Sequence, residues 1–117
     1  MAIKLYRPTT SARRHASVLK NPAISKERPL KSLLISKKSI AGRNHSGKIT
    51  VRHQGGGSRQ HIRLVDFKRD LYDVPARVER LEYDPKRNTR LALLLYRDGQ
   101  RRYIIASEQM AAGTEVI

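Results

Sequence analysis

The stretch GRNHSGKITVRHQGGGSRQH, residues 42–61, comes closest to a chemical motif in this chain. Its first seven residues match the G-x-x-x-x-G-K spacing of a phosphate-binding loop. The Ser or Thr that should follow the lysine and hold magnesium is replaced by Ile49. Such a loop also needs a strand before it and a helix after it, whereas a strand-like pattern follows here. We therefore interpret the match as a near miss and do not expect nucleotide hydrolysis.

Three histidines, His45, His53 and His61, recur every eight residues and raise the question of a metal site. Zinc sites usually need three or four converging ligands, often including cysteine or carboxylate. The chain has no cysteine, and no acid lies between Glu27 and Asp66. Histidines in a basic stretch more often hydrogen-bond to phosphates or stack on bases. The sequence therefore predicts no metal site and no cofactor.

Paired acids are the remaining pattern that would suggest catalysis. Acids cluster at residues 66–73 and 79–84, but basic residues interleave with both clusters. Solvated ion pairs explain this alternation better than acid–base catalysis, which needs carboxyl groups with separated pKa values in a cleft. No Ser-His-Asp or Cys-His arrangement is legible. We predict that the protein is not an enzyme and has no catalytic residue.

The glycine triplet Gly55, Gly56 and Gly57 is the sharpest feature of the stretch. One interpretation is a plain flexible loop between two strands. The other is that missing side chains let backbone amides approach phosphates closely. The basic side chains around the triplet are Arg52, His53, Arg59 and Arg63. Flexibility alone does not require these charges, so the combination favours nucleic-acid binding.

The charge distribution points the same way. The net charge is +15, and residues 1–63 hold 15 Lys/Arg with a single acid, Glu27, while residues 64–117 hold 10 Lys/Arg and 9 acids. A segment with so few counter-charges is typical of one that a polyanion orders. The sequence shows no signal peptide, no apolar run of ~18 residues and no amphipathic helix in residues 1–47. We expect nucleic acid rather than a membrane as partner.

The elements that position these residues fall into two parts. Residues 1–47 hold three prolines and many serines and threonines, which predicts an extended basic arm. Residues 48–117 predict five short strands, or six, of a small barrel or curled antiparallel sheet. The expected strands are residues 48–53, 62–67, 76–83, 91–96 and 101–106, with a last piece at 114–117. Asp98-Gly99 is a hairpin signal between two of them.

Together with VDFKR at residues 65–69, the opening stretch resembles the signature region of the second large-subunit ribosomal protein, the universal L-two family. The likeness extends to PTT at 8–10, RRH at 13–15, VERLEYDP at 78–85 and DGQRRYI at 98–104. The first residues, MAIKLY, are similar to plastid members. The likeness covers most of the chain.

This resemblance implies a fold class: all-β, a small five-stranded Greek-key barrel of the oligonucleotide/oligosaccharide-binding (OB) type at residues 48–117. It also implies that the basic arm, residues 1–47, threads into ribosomal RNA. Family members typically run to more than twice this length, so we expect the N-terminal half only, with the family's C-terminal SH3-like domain absent. The chain is then a natural half, a processed piece or a fragment, and a separate chain carrying the C-terminal half is one possible partner.

The implied function is that of a structural constituent of the large ribosomal subunit, which binds ribosomal RNA and neighbouring ribosomal proteins. Its implied location is the ribosome, in the cytoplasm of a bacterium or in an organelle such as a plastid. We expect phosphate, sugar or close backbone contacts with RNA from Arg13, Arg14, His15, Arg43, Lys48, Arg52, His53, Gly55, Gly56, Gly57, Arg59, Arg63, Lys68 and Arg69. The sequence IASEQM at 105–110 departs from the family pattern, and Glu108 argues against an RNA contact there.

The alternative function is that of a free RNA chaperone or single-strand RNA-binding OB protein. Such proteins usually expose aromatic side chains on which bases stack. This chain has one phenylalanine, Phe67, and five tyrosines, most of which fall in strand patterns that core packing explains.

Overall fold

A computed structural model describes residues 2–117 of the chain. The regular elements described are eight β-strands and one short 3-10 helix, Lys31–Leu33. The strands are β1 (Ala2–Leu5), β2 (Ser17–Lys20), β3 (Leu34–Lys37), β4 (Gln60–Arg63), β5 (Ala76–Asp84), β6 (Thr89–Tyr96), β7 (Arg101–Ile105) and β8 (Glu115–Val116). The all-β prediction is confirmed.

The four C-terminal strands form one antiparallel sheet in the order β7-β6-β5-β8. Two tight turns join β5 to β6 and β6 to β7, and β8 then returns to lie beside β5. This is the order of a Greek key. The turn between β6 and β7 is the predicted Asp-Gly hairpin, because Gly99 has a φ of 85° and its N–H bonds to the carbonyl of Tyr96 at 3.0 Å.

Strand β6 is the centre of the core because it is buried on both faces. Ala92 and Leu94 pack with residues of β5 and β7, and the connections around the sheet cover them. Leu91 and Leu93 point the other way and pack with Tyr103 under Leu30, Leu33 and Val65. Alternate side chains of a strand face opposite sides of the sheet, so the curled sheet carries two apolar clusters. The curled all-β body is consistent with the OB type.

The packed body begins earlier than the predicted boundary at residue 47. Strand β3 lies within the predicted arm, yet it pairs antiparallel with β4, Leu34 opposite Arg63 and Lys37 opposite Gln60. The 3-10 helix before it covers one core cluster through Leu33. Sheet pairing therefore crosses the predicted boundary.

The strand predicted at residues 48–53 is wrong. Its alternating pattern is present, but the carbonyl of Gly42 accepts the N–H groups of Thr50 at 2.8 Å and Val51 at 3.3 Å. These bonds turn the chain back on itself, and only an isolated bridge between Arg43 and Ile49 remains. The residues belong to a 22-residue connection between β3 and β4, residues 38–59.

The N-terminal residues form a separate ribbon. Strands β1 and β2 pair antiparallel, and all eight of their residues are exposed. The radius of gyration is 18.8 Å, against about 13 Å for a compact domain of this length. Part of the predicted extended arm is thus an exposed two-stranded hairpin. Among residues 2–117, no helix is long and apolar enough to cross a membrane.

Candidate nucleic-acid interface

The base of the 38–59 loop depends on Gly42. Its φ is 62°, its carbonyl accepts three hydrogen bonds from the Thr50–Val51 pair, and one of these comes from the Thr50 hydroxyl at 3.1 Å. A Cβ atom at this position would lie 2.3 Å from the Val51 carbonyl oxygen. Both the backbone conformation and the close approach therefore require glycine.

A second turn in the loop is organised by one amide side chain. The Oδ1 atom of Asn44 accepts the N–H groups of Ser46 at 3.1 Å and Lys48 at 2.9 Å. Asparagine commonly closes turns by bonding to the backbone two residues ahead. This turn fixes the backbone that carries two of the predicted contacts, Arg43 and Lys48, with both side chains exposed.

The loop tip consists of residues with positive φ. His53 has a φ of 60°, and Gly55, Gly56 and Gly57 have φ of 129°, 74° and 83°. A Cβ atom on Gly56 or Gly57 would meet nothing within 4 Å, so conformation rather than space selects glycine there. Within residues 2–117 the N–H groups of these three glycines have no hydrogen-bond partner. Unpaired N–H groups on positive-φ backbone can form a concavity that binds anions.

The predicted contact residues other than Arg63, which ends β4, lie on three connections and are exposed. The β3–β4 loop carries Arg43, Lys48, Arg52, His53, the three glycines and Arg59. Arg59 ties the far end of that loop to β3, because its Nε donates to the hydroxyl of Ser36 at 3.2 Å. Lys68 and Arg69 lie in the connection after β4. The connection between β1 and β2 carries the last three, Arg13, Arg14 and His15.

Each of the two smaller groups has its own local support. In the connection after β4, the N–H of Arg69 donates to Oδ1 of Asp66 at 3.0 Å. In the hairpin connection, the N–H groups of Arg13 and Arg14 both donate to the carbonyl of Thr10. The guanidinium of Arg13 also lies 5.5 Å from the ring centre of Tyr6. Both groups present their charges outward from tight turns.

Arg63 occupies a different position from the other predicted contacts. It is 9% exposed, and its Nη1 lies 3.3 Å from Asp84. Its Nε lies 3.7 Å from Glu82. Burial acts to raise the pKa of Asp84, but a hydrogen bond from Arg87, the N–H of Lys86 and the charge of Arg63 together lower it below its usual value. Arg63 thus neutralises acids inside the fold, and we leave it out of the proposed RNA contacts.

Ion-paired arginines occur only from residue 63 onward in the described part of the chain. Within residues 2–117, the arginines in ion pairs are Arg63, Arg80, Arg87, Arg101 and Arg102. A hydrogen bond from Arg101 lowers the pKa of Glu79, and one from Arg102 lowers the pKa of Asp66. Of the basic residues interleaved with the clustered acids, only Arg80 pairs with one of them within residues 2–117, namely Glu82. The other pairs of these acids use arginines outside the clusters, and Glu82 and Asp84 are buried rather than solvated.

The basic residues before Arg63 show the opposite behaviour. None of these 14 Lys/Arg forms an ion pair within the described part of the chain. The one acid among them, Glu27, is bound by Arg80 of β5. The positive charge of this half therefore has no counter-charge within the described residues. The same residues 2–117 contain no group of three His, Cys, Asp or Glu side chains that could hold a metal ion.

Exposed aromatic side chains were missed from the sequence. Tyr96 and Tyr103 are buried, but Phe67 is 65%, Tyr72 is 78% and Tyr83 is 44% exposed. The expectation that core packing explains the tyrosines in strand patterns is wrong for Tyr83, and Tyr72 lies outside the predicted strands. The sequence position of Tyr83 could have indicated its exposure, because the Asp-Pro turn that ends its strand follows it directly.

A comparison with known families identifies most of the chain. The family described as Ribosomal Proteins L2, RNA binding N-terminal domain, matches residues 30–117. The match starts where Leu30 begins to cover the core, and it includes the β3–β4 loop and strands β3 to β8. The matched segment is well over half of the chain, so this protein belongs to the family of the RNA-binding N-terminal domain of ribosomal proteins L2.

Proposed function

We propose that this chain is a structural, non-enzymatic constituent of the large ribosomal subunit, which supports translation by holding ribosomal RNA through phosphate and sugar contacts. Family membership supports the coarser statement that it is a ribosomal protein that binds RNA. One observation carries the finer proposal: the cations before Arg63 have no ion-pair partner in residues 2–117, and Arg80 binds the one acid among them. When such Lys and Arg side chains neutralise RNA phosphates, they release the cations condensed on the RNA, and this release favours binding.

The β3–β4 loop is the proposed main contact. Its base is closed by hydrogen bonds to the carbonyl of Gly42, and its tip offers the unpaired N–H groups of the glycine triplet beside Arg52 and Arg59. Backbone groups and arginines that meet phosphates fix position without reading base edges. Recognition by this loop therefore depends on RNA shape more than on sequence.

The β1–β2 hairpin is the proposed second contact. Its connection places Arg13, Arg14 and His15 at the end of an exposed two-stranded ribbon. A two-stranded ribbon is marginally stable alone in water. We propose that RNA orders it and that the hairpin reaches a site at a distance from the barrel.

Sedimentation of the tagged full chain from its native cells tests this function. We expect co-migration with the large subunit through a sucrose gradient containing about 0.5 M salt, since weakly held factors dissociate at high salt. Recovery only at the top of the gradient would contradict the structural role. Mass spectrometry of the subunit fraction tests the proposed partners, namely neighbouring ribosomal proteins and a chain carrying the family's second barrel. We propose a bacterial or organellar ribosome as the location, a plastid ribosome included.

The exposed aromatic side chains favour one alternative function, that of a free RNA chaperone. Phe67, Tyr72 and Tyr83 offer rings on which unpaired bases can stack. Such a protein would leave the ribosome in the same gradient but would still accelerate the annealing of complementary RNA strands in isolation. Co-migration at high salt decides in favour of the structural role.

A further inference from the structure

A cleft of about 860 Å³ lies beside the barrel, lined by residues of β2, of the segment after it and of the β5–β6 hairpin. Strand β2 and the segment after it contribute Leu19, Asn21 and Lys26 to its lining, and the β5–β6 hairpin contributes Tyr83, Asn88 and Arg90. The segment is held against β5 because the N–H of Ser25 bonds to the carbonyl of Leu81 at 2.8 Å. The cleft is therefore built between two separate parts of the fold.

One aromatic ring and one cation share the sheet face of this cleft. Tyr83 stands directly opposite Arg90 in the β5–β6 register, so both side chains project from the same face. The hydroxyl of Tyr83 donates to Oδ1 of Asn88 at 2.6 Å, which fixes one end of the ring. The side chain remains 44% exposed. An anchored, exposed ring next to a guanidinium is a platform for stacking.

Hydrogen-bond donors surround that platform. The Oδ1 atom of Asn21 accepts the N–H of Ala23 at 3.0 Å, as Oδ1 of Asn88 accepts the tyrosine hydroxyl. Both asparagines thus keep their amide nitrogens as donors, and within residues 2–117 these nitrogens have no partner. Nucleobase edges carry carbonyl and ring-nitrogen acceptors that such amides can reach.

The charge of the cleft selects an anion. Lys26 and Arg90 line it and form no ion pair within the described residues. Among residues 2–117, no acidic side chain contributes to the lining. A nucleotide would fit this cleft if its base stacked on Tyr83 and its phosphate bound Lys26 and Arg90. The volume is within the range of small-ligand pockets and is sufficient for one nucleotide.

We propose that this cleft binds a single unpaired nucleotide of RNA, with its base stacked on Tyr83 and its phosphate bound by Lys26 and Arg90. The inference rests on the proposed function, because it assumes that RNA is the partner. This cleft would make a second kind of contact with RNA. Its aromatic ring and amide donors would recognise an unstacked base, whereas the β3–β4 loop would bind phosphates. RNA-binding proteins commonly recognise bases that are splayed out of a helix in this way.

The test measures the affinity and salt dependence of the full chain for deproteinised large-subunit ribosomal RNA. We expect Tyr83→Ala to weaken binding by at least about fivefold with an unchanged slope of log K against log salt. Tyr83→Phe keeps the ring and should bind within about twofold of the wild type. Ultraviolet crosslinking of the wild-type complex should yield a nucleotide adduct on the peptide that contains Tyr83.

The other outcomes are distinguishable. Wild-type affinity in Tyr83→Ala, together with adducts only on other peptides, overturns the nucleotide site and leaves the proposed function intact. A loss in Tyr83→Phe equal to that in Tyr83→Ala also overturns it, because the ring would not be the contact. Failure of the wild-type chain to bind this RNA in a salt-dependent manner overturns the proposed function and the inference together.

Discussion

Arg80 of β5 binds the carboxylate of Glu27, and this pair connects the basic N-terminal segment to the barrel. The same guanidinium donates to Glu82 at 2.8 Å and to the carbonyl of Arg28 at 3.3 Å. The hydroxyl of Tyr103 bonds to Glu82 at 2.9 Å and accepts the N–H of Leu30 at 3.1 Å. Residues 27–30 are thus docked by a polar network just before the 3-10 helix. Together with the bond from the N–H of Ser25 to the carbonyl of Leu81, this docking holds residues 25–30 against the barrel.

Loss of Arg80 should therefore loosen the N-terminal segment as well as the barrel. Arg80→Gln leaves Glu82 buried without its main cation, and removing one partner of a buried charged pair costs about 3 kcal/mol. We expect a lower free energy of unfolding in urea and faster amide exchange at residues 25–30. The matched control is Arg101→Gln, which removes an exposed pair with Glu79 and should cost much less. Equal losses in the two variants would contradict this account of the network.

Gly42 should be the least replaceable glycine of the loop. Gly42→Ala places a Cβ atom 2.3 Å from a backbone carbonyl and keeps a φ of 62°, so the turn at the loop base must open. We expect weaker RNA binding and faster amide exchange at Thr50 and Val51. The control is Gly56→Ala, which meets nothing within 4 Å and should cost only the strain of positive φ, about 1 kcal/mol. Normal amide protection in Gly42→Ala would contradict the role of its carbonyl.

Acid should destabilise the barrel through Asp66 and Asp84. A hydrogen bond from Arg102 lowers the pKa of Asp66, and in Asp84 the arginines and a backbone N–H outweigh the opposing effect of burial. A carboxyl whose pKa is lower when folded contributes stability above its unfolded pKa, about 3.9, and loses it as pH falls through the folded value. The free energy of unfolding should be nearly constant from about pH 7 to pH 5 and fall below about pH 4.

The matched variant for this prediction is Asp84→Asn, in which the titrating group is absent. It should be less stable than the wild type at neutral pH, and its stability should fall less steeply in acid. Urea unfolding across that pH range measures both quantities. A variant profile parallel to that of the wild type would show that Asp84 does not carry the acid dependence.

The parts of the fold that the sequence predicted are those with local signals. Strands β5, β6 and β7 have apolar patterns, and Asp98-Gly99 supplies the turn that pairs two of them. The only local signal for strand β3 was a short apolar patch at residues 33–35. The 22 residues 38–59 separate β3 from its partner strand β4. Such long-range pairing leaves little trace in the local sequence.

The sequence predicted which residues form the candidate site, but not where each side chain and backbone N–H points. The glycines and cations of the β3–β4 loop stand out in the sequence, and nearly all of these residues are exposed. Arg63 looked equivalent to its neighbours, yet it points at two buried acids that lie about 20 residues away in the chain. Likewise the pattern predicted Val51 to be a strand residue, but its N–H donates to the carbonyl of Gly42 within the loop. Both differences arise from tertiary contacts that no local pattern contains.

The most direct test of the central claim is the salt dependence of RNA binding by the full chain. We expect Arg52→Gln with Arg59→Gln to flatten the slope of log K against log salt by up to ~1.8, since each removed phosphate contact subtracts about 0.9. Arg101→Gln removes one charge that Glu79 already neutralises, so its slope should equal that of the wild type. An unchanged slope in the double variant would show that the uncompensated cations of this loop do not hold the RNA.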